Sequence, residues 1–250
     1  MAAAGARVGV SDVDLAAARE VAEAIGDAAF ASELDVVDAQ QFTAFLDVAE
    51  RRHGPLTVMV NNAGVDWVGS FHEEPDGVTR REIDVNLYGT ILGSKLALER
   101  MLPRRAGHVV NVASGVGRLP LPGSATYSAT KHGIVGLTES LRLEYRGSGV
   151  SFSVVQPSQV ETAMIDGQAR PRALAQVTAD HVAAAVVHAV EHGRFEVWVP
   201  RSQGVSVKLA SVLPRPARET LMRALGLTRI AGDSDPEARR DYHRRAFGRD

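Results

Sequence analysis

The chain has 250 residues, 45% of them hydrophobic and 23% charged, with a formal net charge of −2 and no cysteine. This composition belongs to a folded globular chain and excludes disordered, collagenous and low-complexity classes. It also excludes disulfides, thiolate zinc sites, cysteine nucleophiles and a global basic field for nucleic acid, and it fits a reducing, cytoplasmic setting.

Arg7–Val10 reads as a short strand ending at Ser11-Asp12, and Leu15–Ile25 as a helix stopped by Gly26. Ala28–Leu34 is a strand closing at Asp35, and Gln41–Arg52 is a helix ended by His53-Gly54-Pro55. Leu56–Val60 is a wholly apolar strand that runs into Asn61-Asn62-Ala63-Gly64. Val78–Arg100 has helical spacing in two pieces, and His108–Val112 is a second buried strand entering Ala113-Ser114-Gly115. Ser124–Tyr145 is a long helix, with Ile134, Leu137, Leu141 and Tyr145 on one stripe. Phe152–Val155 is a strand stopped by Pro157; Ala179–Glu191 is a helix and Phe195–Val199 a last strand. The first ten residues lack the pattern of a signal peptide, and no apolar run reaches the roughly 18 residues of a membrane span.

Strands alternating with long helices imply βαβ units, and continuously apolar strands imply a parallel sheet covered on both faces. The expected fold is therefore α/β, a doubly wound, mostly parallel, Rossmann-like sheet over residues 1–200, with ligands at the carboxyl ends of its strands. Residues 201–250 form a basic extension, with 11 Lys and Arg against 6 Asp and Glu; the first 200 residues hold 17 against 24. Short amphipathic helices are expected around Pro214 and Pro216. The extension either packs on its own domain or a sister subunit, or serves as a peripheral membrane foot.

Tyr127 and Lys131 lie four apart on the long helix and so share a face, with Ser114 at a strand end thirteen residues earlier. A phenol with a pKa near 10 is a poor base at neutral pH, and an ammonium beside it lowers that value. The pair suits proton transfer, with Ser114 holding a substrate oxygen in line. A lone Tyr-x-x-x-Lys arises often by chance. Its conjunction with Ser114 and Asn61-Asn62-Ala63-Gly64, in this order and on these elements, does not.

Over residues 5–200 the chain resembles the short-chain dehydrogenase/reductase family. The residues that carry the resemblance are Asn61-Asn62-Ala63-Gly64, Asn86, Asn111-Val112-Ala113-Ser114, Tyr127-Ser128-Ala129-Thr130-Lys131 and Pro157-Ser158-Gln159-Val160-Glu161-Thr162. The resemblance implies an NAD(P)-dependent oxidoreductase acting on a small-molecule alcohol or ketone. It makes Tyr127 the general acid/base and Ser114 the holder of the substrate oxygen. Lys131 would hold the nicotinamide ribose and lower the Tyr127 pKa, and Asn86 would organise a relay water. Val160 and Thr162 would meet the carboxamide, Asn62 the adenosine side, and Asp35 with Val36 the adenine. It also implies a homodimer or homotetramer through helices near residues 86–102 and 124–145. Asp12, at the end of the first visible strand, favours NAD over NADP, because a carboxylate there accepts from a ribose 2′-hydroxyl and repels a 2′-phosphate.

Two departures stand out. The family opens with a strand, a TGxxxGxG turn and a helix, and about 20 residues of such a βαβ unit are missing here. The first strand takes the middle of the sheet, and its turn cradles the pyrophosphate. Three readings account for this: a true start upstream, a non-catalytic binding or regulatory relative, or a slide of Met1–Val10 into the central place. Ser158 replaces the usual glycine, so strain from a positive φ is expected there. His188 and His192 have a metal-binding spacing but no third ligand, so no metal site is expected. Trp67, Phe71 and His72 are substrate-loop candidates, and Trp198 is expected in the core.

Overall fold

The computed structural model describes residues 1–169, 171, 174–228, 234–235 and 237–248. Strand β1 (Val8–Asp12) pairs in parallel with β2 (Ala29–Glu33), the two being joined by helix α1 (Leu15–Ile25). Asp14 caps α1 by accepting from the Ala16 and Ala17 amides. Helix α2 (Ala39–His53), capped in the same way by Asp38, leads to β3 (Val58–Asn61). Helix α3 (Asp76–Glu82) continues through a π-helical turn, Ile83–Tyr88, into α4 (Gly89–Met101). Strand β4 (Gly107–Val112), the long helix α5 (Ala125–Glu144) and β5 (Val150–Pro157) follow. A short parallel pair, β6 (Gln159–Val160) and β7 (Gln176–Val177), precedes α6 (Ala179–Glu191) and β8 (Glu196–Val199). Among the described residues, helices α7 (Arg201–Ser211), α8 (Arg215–Ala224) and α9 (Arg240–Phe247) follow.

The main sheet is parallel, in the order β3-β4-β5-β8. Its continuous apolar strands are buried between two helical layers, as the doubly wound reading requires. On one face Leu34, Phe42, Leu46, Leu92, Met101 and Phe152 form a core; on the other, Val110, Val155, Val186 and Val197 form a second, in which Met1, Val58 and Val60 also pack. Trp198 is buried, as expected.

The pair β1–β2 is not hydrogen-bonded to this sheet. A cavity of about 1020 Å³ lies between them, lined by Val8, Gly9, Ser11 and Asp12 on one side and Val58–Asn61 on the other. No described strand occupies it. The slide of Met1–Val10 into the central place does not occur: Ala2–Ala4 is a single 3₁₀ turn, and Val8–Asp12 is already paired with Ala29–Glu33.

Beside β3, Gly93 lets α4 approach so closely that an added Cβ would meet the Asn61 amide and come within 2.9 Å of Phe42 Cζ. Gly93→Ala should therefore destabilise by about 1–3 kcal/mol despite its better helix propensity. Calorimetry should show the melting temperature falling by several degrees.

Candidate active site

The carboxyl ends of β3 and β4 and one face of α5 converge. A buried amide network sets their spacing: Asn61 Nδ2 donates to Asn111 Oδ1 at 2.8 Å, and Asn111 Nδ2 donates to Thr138 on α5 at 3.0 Å. After β4 the backbone turns through a 3₁₀ segment, Gly115–Gly117, capped by Ser114, whose Oγ accepts from the Val116 amide. Gly117 is required there, because a Cβ would lie 2.7 Å from the Lys131 carbonyl oxygen. The turn thus brings Ser114 near α5, where its hydroxyl favours the ionised form of the Tyr127 phenol.

Lys131 is buried one turn along α5, with Nζ 5.4 Å from the Tyr127 ring centroid and donating to the Val112 carbonyl at 3.1 Å. Burial lowers its pKa to about 8, against the fields of Asp66 and Glu82. Burial also pushes the Tyr127 phenol above its ordinary range, helped by the charges of Asp66 and Tyr242, while the Ser114 hydroxyl pulls it down. The spacing puts the Lys131 ammonium beside the ring, while desolvation and the nearby carboxylate raise the phenol, which is held protonated.

Asn86 is fully buried in the π-helical turn, which swings it towards the loop after β3. Its Oδ1 accepts from Val65 N–H, and its Nδ2 donates to Val65 O and to Thr130 Oγ1. It therefore pins the Gly64-Val65 backbone against α5. A Cβ at Gly64 would stand 3.2 Å from Asn86 Oδ1 and 3.5 Å from Lys131 Nζ.

The residues expected along a dinucleotide separate into two groups. Asp12, Asp35, Val36 and Asn62 all line the large cavity. Asp12 Oδ1 accepts from the Asp14 amide, and Asp35 is bridged by Arg81 at 3.1 Å. Val160 and Thr162 lie beyond it, on and just after β6, although the adjoining Ala163 reaches its wall. Ser158 is not strained: its φ is not positive, and its amide donates to Val199 O at 2.8 Å as an extension of β5, so the expected distortion is absent.

Five further groups at the site were not foreseen. Asp66 is buried, and its pKa is raised to about 6 by desolvation, against the pull of Arg239. Gln168 Nε2 donates to its Oδ2 at 2.8 Å. Tyr242 Oη accepts from the Asp66 amide, and Arg239, 1% exposed, donates to the carbonyls of Asp66, Met164 and Asp166. The start of α9 is thereby fastened over the site. Glu82 is fully buried, accepts from the Trp67 amide at 2.7 Å, and has its pKa raised to about 8, chiefly by desolvation.

Among the described residues no cluster of three metal ligands exists. His188 and His192 lie ring against ring, with centroids 4.3 Å apart. Phe71 is exposed, and His72 bonds Ser70.

The sequence profile of the short chain dehydrogenase family matches residues 1–172. A curated relative from Xanthobacter autotrophicus, described as an inactive 2-(S)-hydroxypropyl-CoM dehydrogenase, is 43% identical over 157 residues, 63% of this chain and 68% of the relative. A 3-alpha-(or 20-beta)-hydroxysteroid dehydrogenase from Mycobacterium tuberculosis is 35% identical over 166 residues, 66% of this chain and 64% of the relative. The chain thus spans about two thirds of the length of these curated relatives. A Burkholderia phymatum short-chain dehydrogenase/reductase, solved in complex with NAD, superposes with a TM-score of 0.74 at 26% identity, over 94% of this chain and 90% of that one.

Proposed function

Because the chain belongs to the short-chain dehydrogenase family, we propose that it interconverts an alcohol and a ketone with a nicotinamide dinucleotide, using Tyr127, Lys131 and Ser114. One observation carries this reading: the Tyr127 phenol beside Ser114, with the buried Lys131 Nζ 5.4 Å from its ring one helical turn along. The nicotinamide that Lys131 would hold by its ribose would supply the hydride for the carbonyl carbon. Tyr127 gives its phenolic proton to the substrate oxygen as the carbonyl becomes an alcohol. Ser114 holds that oxygen by a second hydrogen bond. Lys131 compensates the phenolate that remains and holds the ribose hydroxyls. Asn86, through Val65, fixes the loop against which they lie and orders the relay water. In oxidation the same groups act in reverse.

The residues present suit the cofactor at both ends. Gly64 leaves room for a close approach beside Lys131, and Asp12, Asp35 and Val36 line the cavity. Asn62 would meet the adenosine, with Val160 and Thr162 at the carboxamide. Asp12 supports NAD over NADP. Asp12→Ser should narrow the preference for NADH over NADPH by on the order of tenfold, read by fluorescence titration. An unchanged preference would remove Asp12 from that role.

The substrate is proposed to be a small molecule, met by the segment 163–175. Residues 170, 172 and 173 of that segment lie outside the described ones, and Met164 and Ile165 give it an apolar start. A homodimer or homotetramer is proposed through α4, with the turn before it, and α5, where Tyr88 and Leu143 are exposed; light scattering checks it. Titration of the 250-residue chain with NADH tests the reading as a whole. Saturable binding supports it, and no binding favours a non-catalytic relative.

A further inference from the structure

Twelve large hydrophobic residues are exposed among the described residues, and six of them fall between Val205 and Leu225. Singly exposed apolar side chains are ordinary; a cluster is not. Helix α7 has two apolar faces. Gly204, Val207 and Ala210 are buried against the body of the protein, and Gly204 sits so close that a Cβ would lie 2.5 Å from Trp198 Cγ. The opposite stripe, Val205, Leu209 and Val212, points to solvent with exposures of 62, 64 and 77%. A helix that only caps its own domain needs one such face. Leu213 at the bend is exposed as well, and on α8 Met222 is buried while Leu221 and Leu225, four apart, face out.

The charge around this hairpin is one-sided. Residues 201–225 hold Arg201, Lys208, Arg215, Arg218 and Arg223 against a single acid, Glu219. Lys208 is tied to Glu196 at 2.6 Å and Arg215 to Glu219 at 2.8 Å. Arg218 shares the stripe of Leu221 and Leu225, and neither it nor Arg223 has a carboxylate partner among the described residues. The rest of the chain carries an excess of acid.

We infer that the α7–α8 hairpin is a foot that seats the protein on an anionic lipid bilayer. The leucine and valine stripes enter the boundary between headgroups and acyl chains, and the arginines lie at the level of the phosphates. The attachment is peripheral, since among the described residues no helix is long and apolar enough to cross a membrane. A second copy is the less suitable occupant: a two-fold contact would lay this basic patch against itself. The acidic remainder of the chain is repelled by the same surface and fixes the orientation.

The experiment is co-sedimentation of the full chain with vesicles of phosphatidylcholine alone or mixed with phosphatidylglycerol, at low and high salt. The expected result is binding to the mixed vesicles only, weakened by salt. Arg218→Glu with Arg223→Glu should weaken it by about fivefold or more per basic residue removed, and Leu209→Ser with Val212→Ser should abolish it. These side chains are exposed, so the variants keep the fold, which circular dichroism confirms. No sedimentation with the mixed vesicles overturns the inference, as does sedimentation that these variants leave unchanged. A self-association that Leu209→Ser with Val212→Ser disrupts, without lipid binding, overturns it in favour of a subunit contact.

Discussion

Tyr127→Phe should lower kcat for ketone reduction by about 10²–10⁴-fold, the usual contribution of a positioned general acid. The substitution removes one oxygen from a side chain already surrounded by α5, Ser114 and Asp66. Stability should change by no more than about 1 kcal/mol, the worth of one hydrogen bond. KM for the ketone should move far less than kcat, because the lost proton transfer belongs to the transition state. Steady-state kinetics with a ketone that the wild-type chain turns over makes the comparison. An unchanged kcat in the Tyr127→Phe variant would take the phenol out of the reaction.

Glu82→Gln should change how stability depends on pH. The Glu82 carboxyl faces the Trp67 amide, the carboxylates of Asp66 and Glu74, and the Lys131 ammonium, and desolvation raises its pKa from 4.5 to about 8. Between those values the folded chain holds a proton that the unfolded chain has released. Unfolding free energy therefore falls as pH rises through that window, by about 1.4 kcal/mol per unit. Asp66, raised from 3.8 to about 6, adds a fall of the same sign over its own window. Lys131, lowered from 10.5 to about 8, acts in the opposite sense and only above that pH. Glutamine keeps the acceptor for Trp67 N–H and cannot ionise. The variant should gain a few kcal/mol over wild type between about pH 5 and 8.5, measured by urea unfolding. A difference that stays constant with pH would show that Glu82 ionises freely in the folded protein.

The layered α/β plan was legible because its signals are local. The Gly26 stop and the apolar period of Leu15–Ile25 mark one helix, and Ala179–Glu191 was equally plain. The strands entering Asn61 and Ser114 were read from unbroken apolar runs, and the meeting of Tyr127 with Ser114 followed from the parallel order. What escaped depends on distant partners. Arg239 and Tyr242 lie more than 170 residues from Asp66, in a basic stretch that resembles a solvated tail, yet they close the site. The π-helical turn at Asn86 has no period of its own. A family habit predicted strain at Ser158, where the chain simply continues β5. The spacing reports Lys131 beside Tyr127 but not the burial of the phenol or the field of Asp66.

Delivery of a proton by Tyr127, beside Lys131, to a carbonyl being reduced can be read from NADH absorbance with a panel of ketones, wild-type chain against Tyr127→Phe. NADH should be consumed by the wild type with at least one ketone, and that consumption should be lost in the variant. Equal consumption by both chains, or none by a wild-type chain that binds NADH, would contradict the assignment.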